Sequence, residues 1–156
     1  MAHRENGLFN VNHQKVEFLL QRALNPQFIH PLDTGPRAEI AVIGPKSNLE
    51  AMVFVILGQF WYSADYHLEE LIVYVDPECR KSGHVKALID WMKKSADDLG
   101  IPLITGVISK DRTAAKIRLY DRYLGRVGAF YLHPLRGHDV KRINHNMDRE
   151  SWMGTR

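Results

Sequence analysis

The stretch VDPECRKSGH, residues 75–84, holds the residues with the clearest chemical potential. A run of β-forming residues ends at Val75, and an amphipathic pattern predicts that a helix begins near Gly83. The first turn of a helix has backbone N–H groups without intrahelical partners, and its dipole favours an anion. Arg80 and Lys81 add positive charge there, and glycine permits close approach to the backbone. The stretch therefore predicts a phosphate-binding loop, with a solvated basic turn as the alternative.

Two glutamates on the preceding strand are candidates for proton transfer. Glu69 and Glu70 are neighbours, so strict alternation along a strand sends their side chains to opposite faces. The same alternation groups Glu69 with Leu71 and Val73. We therefore expect only one of the two glutamates to face a binding cleft, and the alternative is that both are solvated.

The cysteine and histidine residues form no recognisable nucleophile or metal motif. Cys79 is the single cysteine, and the sequence places no His/Asp pair to activate it. His133 and His138 are five positions apart across Pro134 and Gly137, and this arrangement does not indicate a metal site. We expect no metal site and no covalent cysteine intermediate. Asp65 and His67 are expected in a surface loop, with a role as the base as the alternative.

The first elements follow from hydrophobic periodicity. Apolar residues at helical spacing after Asn12 predict a helix over residues 13–24. Two β-rich segments, residues 38–44 and 50–62, flank a PKSN turn and predict an antiparallel hairpin. The second segment is apolar at every position over residues 52–57, which predicts a central strand covered on both faces.

A βαβ unit is predicted after the hairpin. It comprises a strand over residues 68–76, an amphipathic helix over about 83–99 and a parallel strand over 102–109. Gly100 is expected to end the helix in the left-handed conformation. A second helix is predicted after Asp111, over residues 112–123. A last strand is predicted over residues 127–134, and a polar C-terminal tail over residues 134–156.

Length and composition favour one domain over residues 1–156. The chain is 45% hydrophobic, and 21 lysines and arginines against 18 acidic residues give a net charge of only +3. This weak charge makes nucleic-acid binding an unfavoured alternative. The longest apolar run, residues 51–57, is too short to cross a bilayer. With a single cysteine, these features predict a cytoplasmic protein without disulfides or membrane contact.

Two segments resemble the GNAT superfamily of N-acetyltransferases, and the resemblance covers about residues 38–133. LIVYVDPECRKSGHVKALIDWM resembles the family's acetyl-CoA-binding segment, in which Arg/Gln-x-x-Gly-x-Gly/Ala opens a helix. Arg80 and Gly83 match this pattern, whereas Val85 replaces the final small residue. TAAKIRLYDRYLGRVGAF resembles the second cofactor-side segment, on the match of Leu119 and Tyr120.

The resemblance implies an α+β fold with a mixed, mostly antiparallel central sheet, one parallel βαβ unit and flanking helices. It implies acetyl-CoA as cosubstrate, held by the backbone of Val73 and Val75 where two parallel strands splay apart. The diphosphate would contact the loop residues Arg80, Lys81, Ser82, Gly83, His84 and Val85. Tyr120 would be the catalytic acid, with Glu69 or a bound water as the base, in a direct transfer to an amine.

One alternative is a GNAT-fold binding or structural protein of a larger assembly that has weak or lost catalysis. Val85 motivates it, as do Thr113 and Lys116, which stand where the family usually has Asn and Ala. The acceptor amine stays open between a protein and a small molecule, and a homodimer is possible. Trp61, Tyr62 and Tyr66 cluster between two predicted strands and are expected to cap the core at a strand end, with a lip of the acceptor cleft as the alternative.

Overall fold

A computed structural model of the chain describes residues 12–25, 37–107 and 113–128. The chain divides into two compact units, one of residues 11–106 and one that includes residues 107–156. The first unit contains α1 (His13–Leu24), β1 (Ala38–Ile43), β2 (Ala51–Gln59), β3 (Tyr66–Val75), a 3₁₀ turn (Pro77–Cys79), α2 (His84–Leu99) and β4 (Leu103–Ile104). The second unit contains α3 (Thr113–Tyr123).

The four strands of the first unit form one mixed sheet in the order β1-β2-β3-β4. The β1–β2 and β2–β3 pairs are antiparallel, and β3 and β4 are parallel. Because parallel neighbours need a crossover, α2 connects β3 to β4 as the predicted βαβ unit requires. The predicted α+β class, the hairpin and the parallel pair are confirmed.

The β2–β3 pair contains an irregularity at its centre. Phe54 pairs with Ile72 and Val55 pairs with Glu70, so Leu71 is an extra residue in β3 without a partner position in β2. This two-against-one arrangement is a β-bulge, which bends a strand and changes the direction of the side chains that precede it. The bulge therefore decides which residues of β3 share a face.

The core of the first unit lies against β2. Val53, Phe54 and Val55 are consecutive in β2 and are exposed by only 0%, 5% and 1%. Since consecutive strand residues point to opposite faces, both faces of β2 are covered, as predicted. Helix α2 contributes Leu88, Ile89, Met92 and Ala96, all buried at helical spacing. Full burial of each large aliphatic side chain contributes roughly 1.5–3 kcal/mol to folding.

Helix α1 begins, and helix α2 ends, where the sequence predicts. The Asn12 side chain accepts a hydrogen bond from the Lys15 N–H at 3.1 Å and caps α1. Gly100 has φ 66°, in the left-handed region, and its N–H donates to the carbonyls of Ala96 and Asp97 at the end of α2. Glycine suits this position because a Cβ is disfavoured in that conformation.

The last strand of the βαβ unit is much shorter than predicted. Strand β4 covers Leu103–Ile104, and residues 105–107 are not in a strand, whereas the prediction covered residues 102–109. Strand β4 pairs with β3 at only two positions before it leaves the sheet. The hydrophobic pattern of the sequence does not show where this pairing stops. Residues 108–109, the predicted cap Asp111 and most of the predicted last strand lie outside the described residues. None of the described helices combines the length and apolar character needed to cross a membrane.

Candidate functional site

Strands β3 and β4 separate after two paired positions. They pair only at Leu68 with Leu103 and at Glu69 with Ile104. Strand β3 then continues to Val75, while residues 105–107 have left the strand conformation. In the described part of the chain, the backbone edge of β3 around Val73 and Val75 is therefore not paired with β4.

The loop that follows β3 is wound into consecutive turns. Asp76 Oδ1 accepts the Glu78 N–H at 2.9 Å, and the Asp76 carbonyl accepts the Cys79 N–H at 2.9 Å. The Ser82 N–H then donates to the Cys79 carbonyl at 3.0 Å. The Asp76 carboxylate also accepts the Tyr74 hydroxyl at 3.2 Å. These local bonds hold the loop against the end of β3.

Helix α2 begins in an open position. Gly83 is its N-cap residue and is exposed, and a Cβ built there meets no atom within 4 Å. The Ser82 hydroxyl accepts the His84 N–H at 3.2 Å, so Ser82 satisfies one first-turn amide without being the N-cap residue. Lys81 is exposed, and Arg80 and Val85 are half-buried. A basic helix start with unobstructed backbone can accept an anion.

A mixed cluster of side chains lies behind this loop. His84 Nε2 is 2.7 Å from Glu50 Oε2, across 34 residues of sequence. The ligand atoms of Glu50, Cys79 and His84 all lie within 4.8 Å of one another. Desolvation first, and then the carboxylates of Glu50, Asp76 and Glu78, raise the pKa of the Cys79 thiol above its ordinary value. No sequence pattern indicates this cluster, because Glu50 joins it only through the fold.

The bulge corrects the predicted face of Glu69. Glu69 pairs with Ile56 and His67 pairs with Gly58, two residues further along β2, so both side chains share the Gly58 face. A Cβ built on Gly58 would lie 2.9 Å from His67 Nε2 and 3.3 Å from Glu69 Oε2. The prediction that Glu69 shares a face with Val73 is wrong, because Leu71 interrupts the alternation. Glu70 pairs with Val55 and takes the opposite face, as expected of neighbours.

His67 is a strand residue and not the surface-loop residue that was predicted. It is only 4% exposed, and its Nε2 lies 3.7 Å from Glu69 Oε2. The Phe60 ring stacks on it at a centroid distance of 4.5 Å. Gly58 leaves the space that the imidazole occupies, a role that no local motif shows. The Glu69 side chain itself is 44% exposed and accessible to a substrate.

The aromatic residues of the β2–β3 turn lie on the surface. Trp61, Tyr62 and Tyr66 are 94%, 67% and 51% exposed, so the prediction that they cap the core is wrong. Phe60 covers His67 instead, and Tyr62 stacks on Phe60 at 5.3 Å. The sequence alone did not distinguish Phe60 from Trp61, Tyr62 and Tyr66, because all four residues are aromatic.

Tyr120 belongs to the second unit. It lies in α3, is half-buried, and its carbonyl accepts the Leu124 N–H at 2.8 Å. Its role as the catalytic acid stays a prediction, as do the roles of Glu69 and of the loop residues.

Comparison with known proteins identifies the family. The model of the acetyltransferase (GNAT) family matches residues 45–125, just over half of the chain. The chain belongs to the GNAT acetyltransferase family. Members of this family use acetyl-CoA, so the open helix start and the separated strands belong to an acetyltransferase fold. No curated protein matches the chain.

Solved structures share the fold at low sequence identity. A ribosomal-protein-alanine N-acetyltransferase from Brucella melitensis biovar Abortus 2308 has a TM-score of 0.57 and 20% identity, and the match covers 82% of each chain. An aminoglycoside acetyltransferase from an uncultured soil metagenomic sample has a TM-score of 0.52 and 15% identity, over 82% of this chain and 78% of that one. AAC(6')-Iy, in complex with a CoA bisubstrate analogue, has a TM-score of 0.50 and 11% identity, over 64% and 69%. The likeness confirms the predicted GNAT-like fold.

Proposed function

We propose that this chain is an N-acetyltransferase that moves the acetyl group of acetyl-CoA directly to a primary amine in a ternary complex. The observation that carries the proposal is the separation of β3 from β4 directly before the open start of α2. This arrangement supplies a backbone edge for an extended ligand and a basic anion site at one end of it. A solvated turn alone would not require the two parallel strands to part.

The residues of the first unit fit acetyl-CoA in two places. The edge of β3 at Val73 and Val75 offers backbone groups to the pantetheine arm. The loop offers Lys81 and the unobstructed backbone at Gly83 to the diphosphate, with Arg80 beside them. Hydrogen bonds to charged groups contribute roughly 1.5–3 kcal/mol each, so a few of them suffice to anchor the ligand.

Acetyl transfer requires a deprotonated amine and a protonated leaving thiolate. The proposal assigns the base to Glu69, acting directly or through a water, because its carboxylate is accessible and lies beside the buried His67. The amine nitrogen forms a bond to the thioester carbon, the carbon–sulfur bond breaks, and Glu69 takes the amine proton. Tyr120, assigned on the Leu-Tyr match, donates its proton to the sulfur. Both residues then exchange protons with solvent.

Isothermal titration with acetyl-CoA and a thiol-release assay test the proposal together. Arg80→Ala is expected to weaken acetyl-CoA binding about tenfold or more, and Tyr120→Phe is expected to lower turnover with little change in that affinity. Lys93→Ala is a control that removes one exposed positive charge from α2 away from the loop. Melting temperatures show whether each variant is folded. Unchanged affinity and turnover in both variants would contradict the assignment.

The same measurements separate the enzyme from the binding-protein alternative, which rests on Val85 at the start of α2. If the protein binds acetyl-CoA but consumes no thioester with any of the acceptors tested, this result would favour a cofactor-holding module. Absence of binding would favour a structural protein. Neither result is expected, because Gly83 leaves the approach to the helix start open.

The acceptor is proposed to be a primary amine on a peptide or on a small polyamine or aminoglycoside. The exposed aromatic side chains of Trp61 and Tyr62 offer flat surfaces on which a cationic acceptor could bind. A thiol-release screen over N-terminal peptides, polyamines and aminoglycosides tests this choice. Trp61→Ala is expected to raise KM for the preferred acceptor while leaving acetyl-CoA affinity unchanged.

A further inference from the structure

Three side chains from separate segments converge behind the loop. Glu50 directly precedes β2, Cys79 ends the 3₁₀ turn, and His84 is the first residue of α2. Their ligand atoms lie within 4.8 Å of one another, and all three residues are half-buried. No other group of this kind occurs among residues 12–25, 37–107 and 113–128. The cluster does not include the Glu69 carboxylate, but it adjoins the proposed acetyl-CoA site, because His84 also belongs to the loop assigned to the diphosphate and the Asp76 N–H donates to the Glu50 carbonyl.

The donor set matches the chemistry of a divalent transition metal. A thiolate, an imidazole and a carboxylate are the three ligand types that zinc accepts, at bond lengths of about 2.0–2.3 Å. In a tetrahedral site those lengths place ligand atoms roughly 3.4–3.6 Å apart. The 2.7 Å separation of His84 Nε2 and Glu50 Oε2 would have to widen by about 0.7 Å, and Cys79 Sγ, within 4.8 Å of both atoms, would have to adjust to the same spacing. Both changes are within the reach of side-chain rotation.

We propose that Glu50, Cys79 and His84 form a zinc-binding site at the base of the loop. The zinc ion would lie between His84 Nε2 and Glu50 Oε2 in place of their direct contact, and the neutral His84 imidazole would carry its proton on Nδ1. Cys79 binds as the thiolate and releases its proton to solvent. Three protein ligands leave one position for water, as in zinc sites that remain open to exchange.

The surrounding charge favours a cation at this place. The carboxylates of Glu50, Asp76 and Glu78 all act on the Cys79 sulfur. Arg80 and Lys81 follow directly in the loop and oppose them, so the carboxylates exceed the neighbouring positive charges by one. A cation between them would reduce the repulsion among the acidic groups.

Metal binding would also tie the loop at its two ends. Cys79 and His84 bracket residues 80–83, so one ion bound to both closes this short segment, and Glu50 attaches it to the start of β2. Closing a loop by a bound ion reduces the conformational freedom of the residues between the ligands. The backbone amide hydrogens of Lys81 and Gly83 are therefore expected to exchange with solvent more slowly when zinc is bound than when it is absent.

A cobalt titration of the full-length, tag-free protein after chelator treatment tests the site. Cobalt is a spectroscopic substitute for zinc, and a thiolate-to-cobalt charge-transfer band would report Cys79 because the chain has one cysteine. We expect the band to saturate at one equivalent and to disappear when zinc is added. Histidines elsewhere in the chain do not produce a sulfur band, so adventitious binding to them does not imitate this result.

Single substitutions assign the ligands. Cys79→Ser is expected to abolish the band, and Glu50→Gln and His84→Gln are expected to weaken cobalt binding tenfold or more, on the order of the losses at altered metal sites. Glu17→Gln and His13→Gln make the same chemical changes at exposed positions of α1 and are expected to bind like the unaltered protein. Circular dichroism confirms that each variant is folded.

Two results would overturn the proposal. One is the absence of a sulfur band in the folded, reduced protein at millimolar cobalt. The other is a band that persists unweakened in both Glu50→Gln and His84→Gln, because Cys79 would then bind cobalt without the cluster. Loss of acetyltransferase activity plays no part in these measurements, so their failure is distinct from a failure of the proposed function.

Discussion

The two ends of β3 hold their polar groups in different ways. At the C-terminal end, most hydrogen bonds of residues 76–84 join residues two or three positions apart, Glu50 contacts Asp76 and His84 from outside the loop, and the helix start is open. At the N-terminal end, His67 and Glu69 depend on the cross-strand neighbour Gly58 and on Phe60. The conformation of the loop therefore depends mostly on local hydrogen bonds, whereas the contact of His67 with Glu69 depends on the strand register.

This difference has consequences for substitution. A change at the exposed Gly83 is expected to affect the proposed ligand while leaving the fold almost unaltered, because no atom lies within 4 Å of a Cβ built there. A change beside His67 must disturb packed atoms and so affects folding and the position of Glu69 together. Substitutions at the two ends of β3 test this separation.

The largest effect is expected from Glu69→Gln. If the carboxylate is the base, its neutral isostere should lower kcat by about 10²-fold or more, with little change in affinity for acetyl-CoA. Initial rates at saturating acetyl-CoA and acceptor measure this effect. The matched control is Glu70→Gln, which makes the same change at the adjacent residue on the opposite face.

The control also tests the bulge. If both variants were equally impaired, the face assignment from the pairing of Glu69 with Ile56 and Glu70 with Val55 would be contradicted. If Glu69→Gln retained nearly full turnover, the base would be a water that does not require this carboxylate.

A smaller effect, on stability, is expected from Gly58→Ala. The added Cβ would lie 2.9 Å from His67 Nε2, and His67 is held between the strand and Phe60. Overpacking of this kind typically costs about 1–3 kcal/mol, measurable as a lower midpoint in urea unfolding. Gly125→Ala provides the control, since a Cβ there meets no atom within 4 Å. An unchanged midpoint for Gly58→Ala would show that His67 moves aside freely.

Gly83→Ala should show the opposite pattern, in which acetyl-CoA affinity falls while stability is almost unchanged. No atom lies within 4 Å of the added Cβ, so the free energy of unfolding is expected to change by less than about 1 kcal/mol. The methyl group would nevertheless occupy space over the start of α2, and acetyl-CoA affinity should fall severalfold in isothermal titration. A stability loss as large as that of Gly58→Ala would remove the distinction between the two ends of β3.

The same distinction explains what the sequence could predict. The bounds of α1 and α2, the Gly100 cap and the β1–β2 hairpin follow from local periodicity and turn residues, and the structure confirms them. The Arg80–Gly83 loop was recognisable for the same reason, because its pattern is contiguous. The family assignment followed from that pattern together with the Leu119-Tyr120 segment.

What the sequence could not predict depends on strand pairing. Leu71 resembles any other apolar strand residue, and only its missing partner in β2 identifies it as a bulge. The face of Glu69, the burial of His67 and the need for glycine at position 58 all follow from that register. The meeting of Glu50 with His84 across 34 residues likewise needs the folded chain. Local patterns predict elements, but not which of their side chains meet.

The smallest expected effect is a change in the pH dependence of Cys79 alkylation. Desolvation and nearby carboxylates raise the pKa of this thiol, so the native protein holds less thiolate at neutral pH than an unfolded chain. With a chelator present, the iodoacetamide rate of the folded protein should reach its midpoint at a higher pH than that of the urea-unfolded protein.

The sign of the accompanying stability change follows from linkage. As pH rises through the unfolded thiol's pKa, the unfolded chain loses its proton first, so the native state becomes less stable relative to it. Glu50→Gln removes one of the charges responsible and should move the alkylation midpoint back towards lower pH. A native midpoint at or below the unfolded one would mean that the positive charges of Arg80 and Lys81 outweigh the carboxylates at the sulfur. The loop would then be electropositive up to its base, and the attraction of a cation to the cluster would lose its electrostatic support.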